Sequence, residues 1–122
     1  MKRMLTLAAV AAVTLTAVAV ALGATTILKI SADKTKLAFS TKTLTAKAGK
    51  VTISMNNASV LPHNVAIRAG TSAKTKIIVK GQIVGKGGTS KVTATLKKGK
   101  YRFICTVPGH EAAGMWGTLT VK

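Results

Sequence analysis

The sequence of 122 residues predicts a single all-β domain, a sandwich or barrel of about eight short strands. Three observations support this fold class. Apolar and polar residues alternate with a period of two, and turn-forming residues interrupt the alternation roughly every eight to twelve residues. Neither a helical stripe nor a heptad pattern is present in the sequence.

The clearest strand is expected near residues 51–56, where Val51, Ile53 and Met55 point to one face and polar residues to the other. Residues 69–76 are small and polar, which indicates a loop. The expected strands, in chain order, are 25–31, 37–39 with the stretch near 44, 51–56, 63–67, 77–79, 82–84, 92–96, 101–105 and a last strand through Leu119 and Val121.

The first residues are typical of an export signal. Lys2 and Arg3 precede an uncharged apolar run from residue 4 to residue 22, which ends in small residues. We therefore predict a signal peptide over residues 1–23 and a folded domain over residues 24–122. An uncleaved membrane anchor is the alternative, because 19 uncharged residues just reach bilayer-spanning length. Either way, the domain is expected in the periplasm or outside the cell.

The chain is strongly basic, with 19 Lys and Arg against two acidic residues, Asp33 and Glu111. Removal of Lys2 and Arg3 with the signal peptide lowers the net charge from +17 to +15. Nucleic acid is not the expected partner, because the lysines are scattered and few aromatic side chains are available for base stacking. The lysines are either a solvated coat or a source of attraction to acidic partners or anionic lipid.

A single cysteine in an exported chain has no internal disulfide partner, so Cys105 is either a free thiol or a ligand. It is followed by His110 and Met115 with the spacing Cys-x4-His-x4-Met, and His63 lies 42 residues earlier. Two imidazoles, one thiolate and a distant thioether are the donor set of copper centres that transfer electrons. The sequence therefore predicts one copper ion bound by His63, Cys105, His110 and Met115.

Each of these residues taken alone has an ordinary explanation in packing or in a spare thiol. Their joint spacing favours the metal site, because Pro108-Gly109 and Gly114 provide the bends that fold a ten-residue loop around an ion. In this interpretation the thiolate gives the strong bond, the imidazoles complete the plane and the thioether tunes the reduction potential.

Two segments resemble the cupredoxins, the small type 1 blue copper proteins that include azurin, plastocyanin and auracyanin. Residues 99–105 follow the pattern Gly-x-Tyr-x-Phe-x-Cys of the strand that enters the copper loop. Residues 105–110 are similar to the azurin-type loop, and residues 110–115 to the plastocyanin-type ending. Residues 62–64, Pro-His-Asn, resemble the first ligand motif. Four residues separate His110 from Met115, where azurin has three, which bears on the distance between copper and the Met sulfur.

The resemblance implies an eight-stranded Greek-key sandwich with copper at one end. It also implies that Asn64 joins the two ligand loops by hydrogen bonds and that an exposed His110 passes the electron. The expected function is a monomeric carrier of single electrons, not an enzyme, that serves acidic redox partners outside the cytoplasm. A copper-trafficking or storage protein of the same fold is the alternative.

Overall fold

The computed structural model describes residues 9–14 and 25–122, and residues 25–122 form a sandwich of two β-sheets. The predicted signal peptide lies mostly outside the described residues. Within the described ranges, no helix is long and apolar enough to cross a bilayer. The strands are β1 (Thr26–Ala32), β2 (Thr43–Ala46), β3 (Gly49–Asn57), β4 (Ala66–Ala69), β5 (Ile77–Lys80), β6 (Thr89–Leu96), β7 (Gly99–Ile104) and β8 (Trp116–Val121).

The strands are divided between a three-stranded sheet, β1-β3-β6, and a five-stranded sheet, β2-β8-β7-β4-β5. Two neighbouring pairs, β1 with β3 and β2 with β8, run parallel, and the other pairs run antiparallel. The parallel pairs arise because the chain crosses between the sheets after β1 and after β2. The predicted all-β sandwich of about eight strands is confirmed.

The core lies between the sheets and is built by the period-two pattern. Val51, Ile53 and Met55 on β3 are fully buried, as the alternation predicts. Phe103 on β7 is also fully buried and packs against Phe39 with ring centroids 5.5 Å apart. Side chains of this size each stabilise the fold by about 1.5–3 kcal/mol when they are removed from water. These buried residues are therefore the main source of stability.

Two of the predicted strands are only single bridges. Residues 82–84 form no strand; Val84 instead exchanges both backbone hydrogen bonds with His63, at 2.9 and 3.1 Å. Glycines 81 and 85 bound this segment, so too few residues remain for a ladder. Residues 37–39 are likewise tied to the sandwich through one bridge, from Phe39 to Ala32.

The two ends of the sandwich differ in what they carry. At one end β7 stops, β8 starts and β4 starts, so the segments bearing His63, Cys105 and Met115 meet there; we call it the site end. The opposite end, the base, carries the β2–β3 turn, the β6–β7 turn, the start of β1 and the end of β8.

Candidate metal centre

The strand register brings the predicted ligands to one place. Cys105 follows the last residue of β7, and Met115 precedes the first residue of β8. His63 lies three residues before β4, whose first residue, Ala66, pairs with Ile104 on β7. The loops that carry His63 and Cys105 are therefore neighbours, although 42 residues separate them in sequence.

Three donor atoms face each other across the space between these loops. The Nδ1 atoms of His63 and His110 are 3.1 Å apart, and the Cys105 sulfur lies 3.8 Å from the first and 3.6 Å from the second. A point equidistant from all three atoms lies about 2.0 Å from each, close to the usual metal–nitrogen and metal–thiolate bond lengths. The three residues therefore fit a single metal ion without rearrangement.

Burial limits the other hydrogen-bond partners that these donor atoms can reach. His63 and Cys105 are fully buried, whereas His110 is partly exposed. Burial lowers the pKa of His63, and the neighbouring His110 lowers it further, so the imidazole stays neutral and free to ligate. Burial also raises the pKa of the Cys105 thiol, against the opposite effect of hydrogen bonds from the backbone N–H groups of Asn64 and Val107. A bound cation offsets that effect of burial, because it favours the thiolate.

Met115 is fully buried beside this group. Its backbone N–H donates to the carbonyl of His110, and its own carbonyl accepts from the N–H of Cys105, so the loop from 105 to 115 is closed on itself. Gly109 and Gly114 have φ angles of 84° and 118°, values that favour glycine. The bends predicted at these two glycines are therefore confirmed.

Asn64 joins the two ligand loops, as the family resemblance implied. Its side chain is fully buried; Oδ1 accepts from the backbone N–H of Thr106 at 2.7 Å, and Nδ2 donates to Thr106 Oγ1 at 2.7 Å and to the Gly81 carbonyl at 3.0 Å. Asn64 follows His63 directly, and Thr106 follows Cys105. The amide therefore fixes the separation of two donors through their immediate neighbours.

Asn57 supports the His63 loop in a way that the sequence analysis missed. Its buried side-chain NH2 donates to the carbonyls of Leu61 and Val84, at 2.8 and 2.9 Å. The first contact holds the loop before His63, and the second holds the residue that pairs with His63. The sequence analysis predicted the end of a strand at residue 56 and no role for Asn57; an Asn at the end of a strand was the available signal.

Glu111 fixes the other side of the centre, and this role was missed as well. Its carboxylate accepts from Arg68 at 2.8 Å and from Arg102 at 2.9 Å, and all three side chains are at least 84% buried. The Arg102 guanidinium also stacks on Trp116, 3.8 Å from the ring centroid. The copper-loop residue next to His110 is therefore held to β4, β7 and β8.

These donors in a buried pocket at one end of a β-sandwich define a small protein with a type 1 copper site. Comparison with known proteins agrees: residues 26–122 match the family model of copper-binding proteins of the plastocyanin/azurin family. A plastocyanin of Nostoc punctiforme is 36% identical over 102 residues, which cover 77% of this chain and 71% of the relative.

Solved structures place the fold in the same group. An auracyanin of Roseiflexus castenholzii superposes with a TM-score of 0.71 at 30% identity, covering 82% of this chain and 99% of that one. Auracyanin A of Chloroflexus aurantiacus, described as a "blue" copper protein, gives a TM-score of 0.71 at 29% identity, covering 81% and 100%. The chain belongs to the plastocyanin/azurin family of copper-binding proteins, so the predicted cupredoxin is confirmed, with copper as its metal.

The buried Asn64 amide generates a stability prediction. Asn64→Ala leaves the Thr106 N–H and the Gly81 carbonyl without partners, so the free energy of unfolding of the metal-free protein should fall by about 2–4 kcal/mol. Thr106→Val is the matched control; it removes one hydrogen bond but keeps the backbone contact, and should cost no more than about 1.5 kcal/mol. Urea unfolding measures both variants. Equal costs would show that the cross-link between the loops does not stabilise the fold.

Proposed function

We propose that the protein carries single electrons and that His63, Cys105 and His110 bind its copper ion, with Met115 as a weak axial ligand. The convergence of three donor atoms on one point carries this assignment. Copper, when bound, supplies the one-electron redox couple. Thiolate and imidazole donors together suit both of its oxidation states.

The surrounding residues give a physical reason for electron transfer in preference to copper delivery. Asn64, Asn57 and Glu111 hold both ligand loops through buried hydrogen bonds and ion pairs. A donor set that cannot relax changes little in geometry when the metal changes charge, which favours fast electron transfer. Delivery of the metal instead requires ligands that open, and the fully buried Cys105 and His63 oppose this.

The electron route is proposed to run through His110. Among the three converging donors, it alone has a partly exposed side chain. The exposed residues around it are small or apolar and allow a partner to approach closely; they are Leu61, Pro62, Pro108, Ala112 and Ala113. The chain contains no histidine besides His63 and His110, so a second histidine-bound metal centre has no ligands; we therefore propose a carrier and not an enzyme.

The redox partner is proposed to be an acidic protein. Lys34, Lys36 and Lys86 are exposed on loops at the site end. Lys34 and Lys36 follow the end of β1, and Lys86 lies in the loop whose Gly87 N–H donates to the Asn57 carbonyl. Their charge attracts a carboxylate-rich surface toward His110.

The domain is proposed to act outside the cytoplasm after export. The basic and apolar start of the chain supports a signal peptide, and its removal leaves the whole sandwich intact, since β1 starts at Thr26.

The ligand assignment predicts different results when each of the two sulfur donors is replaced. Cu(II) should bind to the protein at one equivalent and produce an intense thiolate-to-copper band in the visible region. Cys105→Ser should lose this band while near-ultraviolet circular dichroism stays unchanged. Met115→Leu should keep the band and raise the reduction potential, because a donor to Cu(II) has been removed. A colourless copper complex of the unmodified protein would falsify the assignment, and loss of copper from Met115→Leu would make Met115 a structural ligand.

If the partner is acidic, the rate of electron transfer should depend on salt. Stopped-flow reduction by an acidic redox protein should be ten- to a thousandfold faster at low than at high ionic strength, and slow with a basic one. Changing Lys34, Lys36 and Lys86 together to Gln should remove most of this dependence. A rate that is flat across the salt range would contradict steering and leave the lysines as a solvated coat.

Export predicts the first residue of the protein recovered from its host. N-terminal sequencing should give Ala24, or Leu22 if cleavage follows the small residues of Ala19-Val20-Ala21 instead. An intact Met1 or Lys2 in the membrane fraction would favour an anchor instead.

A further inference from the structure

A group of exposed lysines lies at the end of the domain opposite the metal centre. Six exposed lysines lie at the base, on turns and strand ends that come from both sheets; they are Lys47, Lys50, Lys97, Lys98, Lys100 and Lys122. We call this group the basal lysines. None of them is a candidate ligand, and the proposed function uses none of them.

The strand pairing places the basal lysines side by side. Gly49 pairs with Leu96 across the three-stranded sheet, and Gly99 pairs with Val121 across the other. The Lys122 carbonyl accepts from Ala48 in the β2–β3 turn, 2.9 Å away. Two turns and the end of β8 therefore form one continuous basic surface.

No acidic side chain balances this surface. Asp33 and Glu111 are the only carboxylates among the side chains of the sequence, and both lie at the site end. Asp33 accepts from the backbone N–H groups of Thr35 and Lys36, and Glu111 is enclosed by Arg68 and Arg102. The nine residues of β3 span about 27 Å, several Debye lengths at physiological salt, so the two ends act independently on a partner.

The chain also enters the domain at the base. The first residue of β1, Thr26, pairs with Val51 near the start of β3. A shallow depression beside it is lined by Thr25, Thr26, Thr45, Ala46, Lys47 and Lys122. A segment that precedes the domain, whether before cleavage or as an anchor, therefore joins it among the basal lysines.

We propose that the base docks onto an anionic lipid surface and turns the site end away from the membrane. Six clustered cations fall within the range that binds acidic headgroups. A lipid surface suits this geometry better than an acidic redox protein does, because a partner at the base would be too far from His110 to exchange electrons. The choice of lipid over a redox protein rests on the proposed electron route through His110, whereas the binding of the base to lipid involves no metal ligand and can be measured without copper.

The domain from Ala24 onward is the protein to test, because it contains every strand among the described residues and the solved auracyanin consists of the equivalent domain alone. It should sediment with phosphatidylcholine vesicles that contain about one-third phosphatidylglycerol, and not with pure phosphatidylcholine vesicles. The binding should be lost as salt is raised.

Two variants of equal net charge distinguish binding by the basal lysines from a general effect of net charge. Changing Lys97, Lys98 and Lys100 together to Gln should weaken binding to the anionic vesicles about a hundredfold. The matched control changes Lys34, Lys36 and Lys86 to Gln and should weaken it by no more than about fivefold. Near-ultraviolet circular dichroism shows that both variants are folded.

Three results would overturn the proposal. The first is equal weakening by both triple variants, which would mean that net charge drives binding. The second is equal binding to neutral vesicles. The third is tight binding of soluble polyglutamate at the basal lysines without binding to anionic vesicles, which would make the partner an acidic protein.

Discussion

The structure depends on keeping three polar donors together at the end of an apolar core. The two imidazole nitrogens lie 3.1 Å apart and close to the Cys105 sulfur, in a place where water cannot solvate His63 or Cys105. Hydrogen bonds among these groups alone cannot satisfy all of them, so the metal-free site costs stability. The backbone ties of Asn64 and the closed loop from Cys105 to Met115 maintain the arrangement, and a bound metal stabilises the folded state by mass action.

The core and the candidate ligands were predictable because each depends on local pattern or on rare residue types. The alternation of Val51, Ile53 and Met55 identifies a strand face without any knowledge of its partners. A chain with one cysteine and two histidines offers few ways to assemble a soft metal site. The ligands were therefore expected together, and the structure brings His63, Cys105 and His110 within bonding distance of one point.

The supports of the site were not predictable in the same way, because each joins residues that are far apart in sequence. Arg68 and Glu111 are 43 positions apart, and only the pairing of β4 with β7 makes them neighbours. Lys42 donates to the carbonyls of Gly114 and Trp116. These contacts exist because β2 pairs with β8, and no local pattern in the sequence indicates that pairing. The missing strand at residues 82–84 has the same origin, since Val84 pairs with His63 instead of extending a ladder.

The protein combines a tightly held donor set at one end with a basic surface that has no acidic side chains at the other, and its function depends first on the donor set. X-ray absorption at the copper edge tests it most directly on the copper-loaded protein. We expect two nitrogen scatterers at about 2.0 Å and one sulfur scatterer at about 2.2–2.3 Å. A first shell of nitrogen and oxygen alone, without the short sulfur, would contradict it.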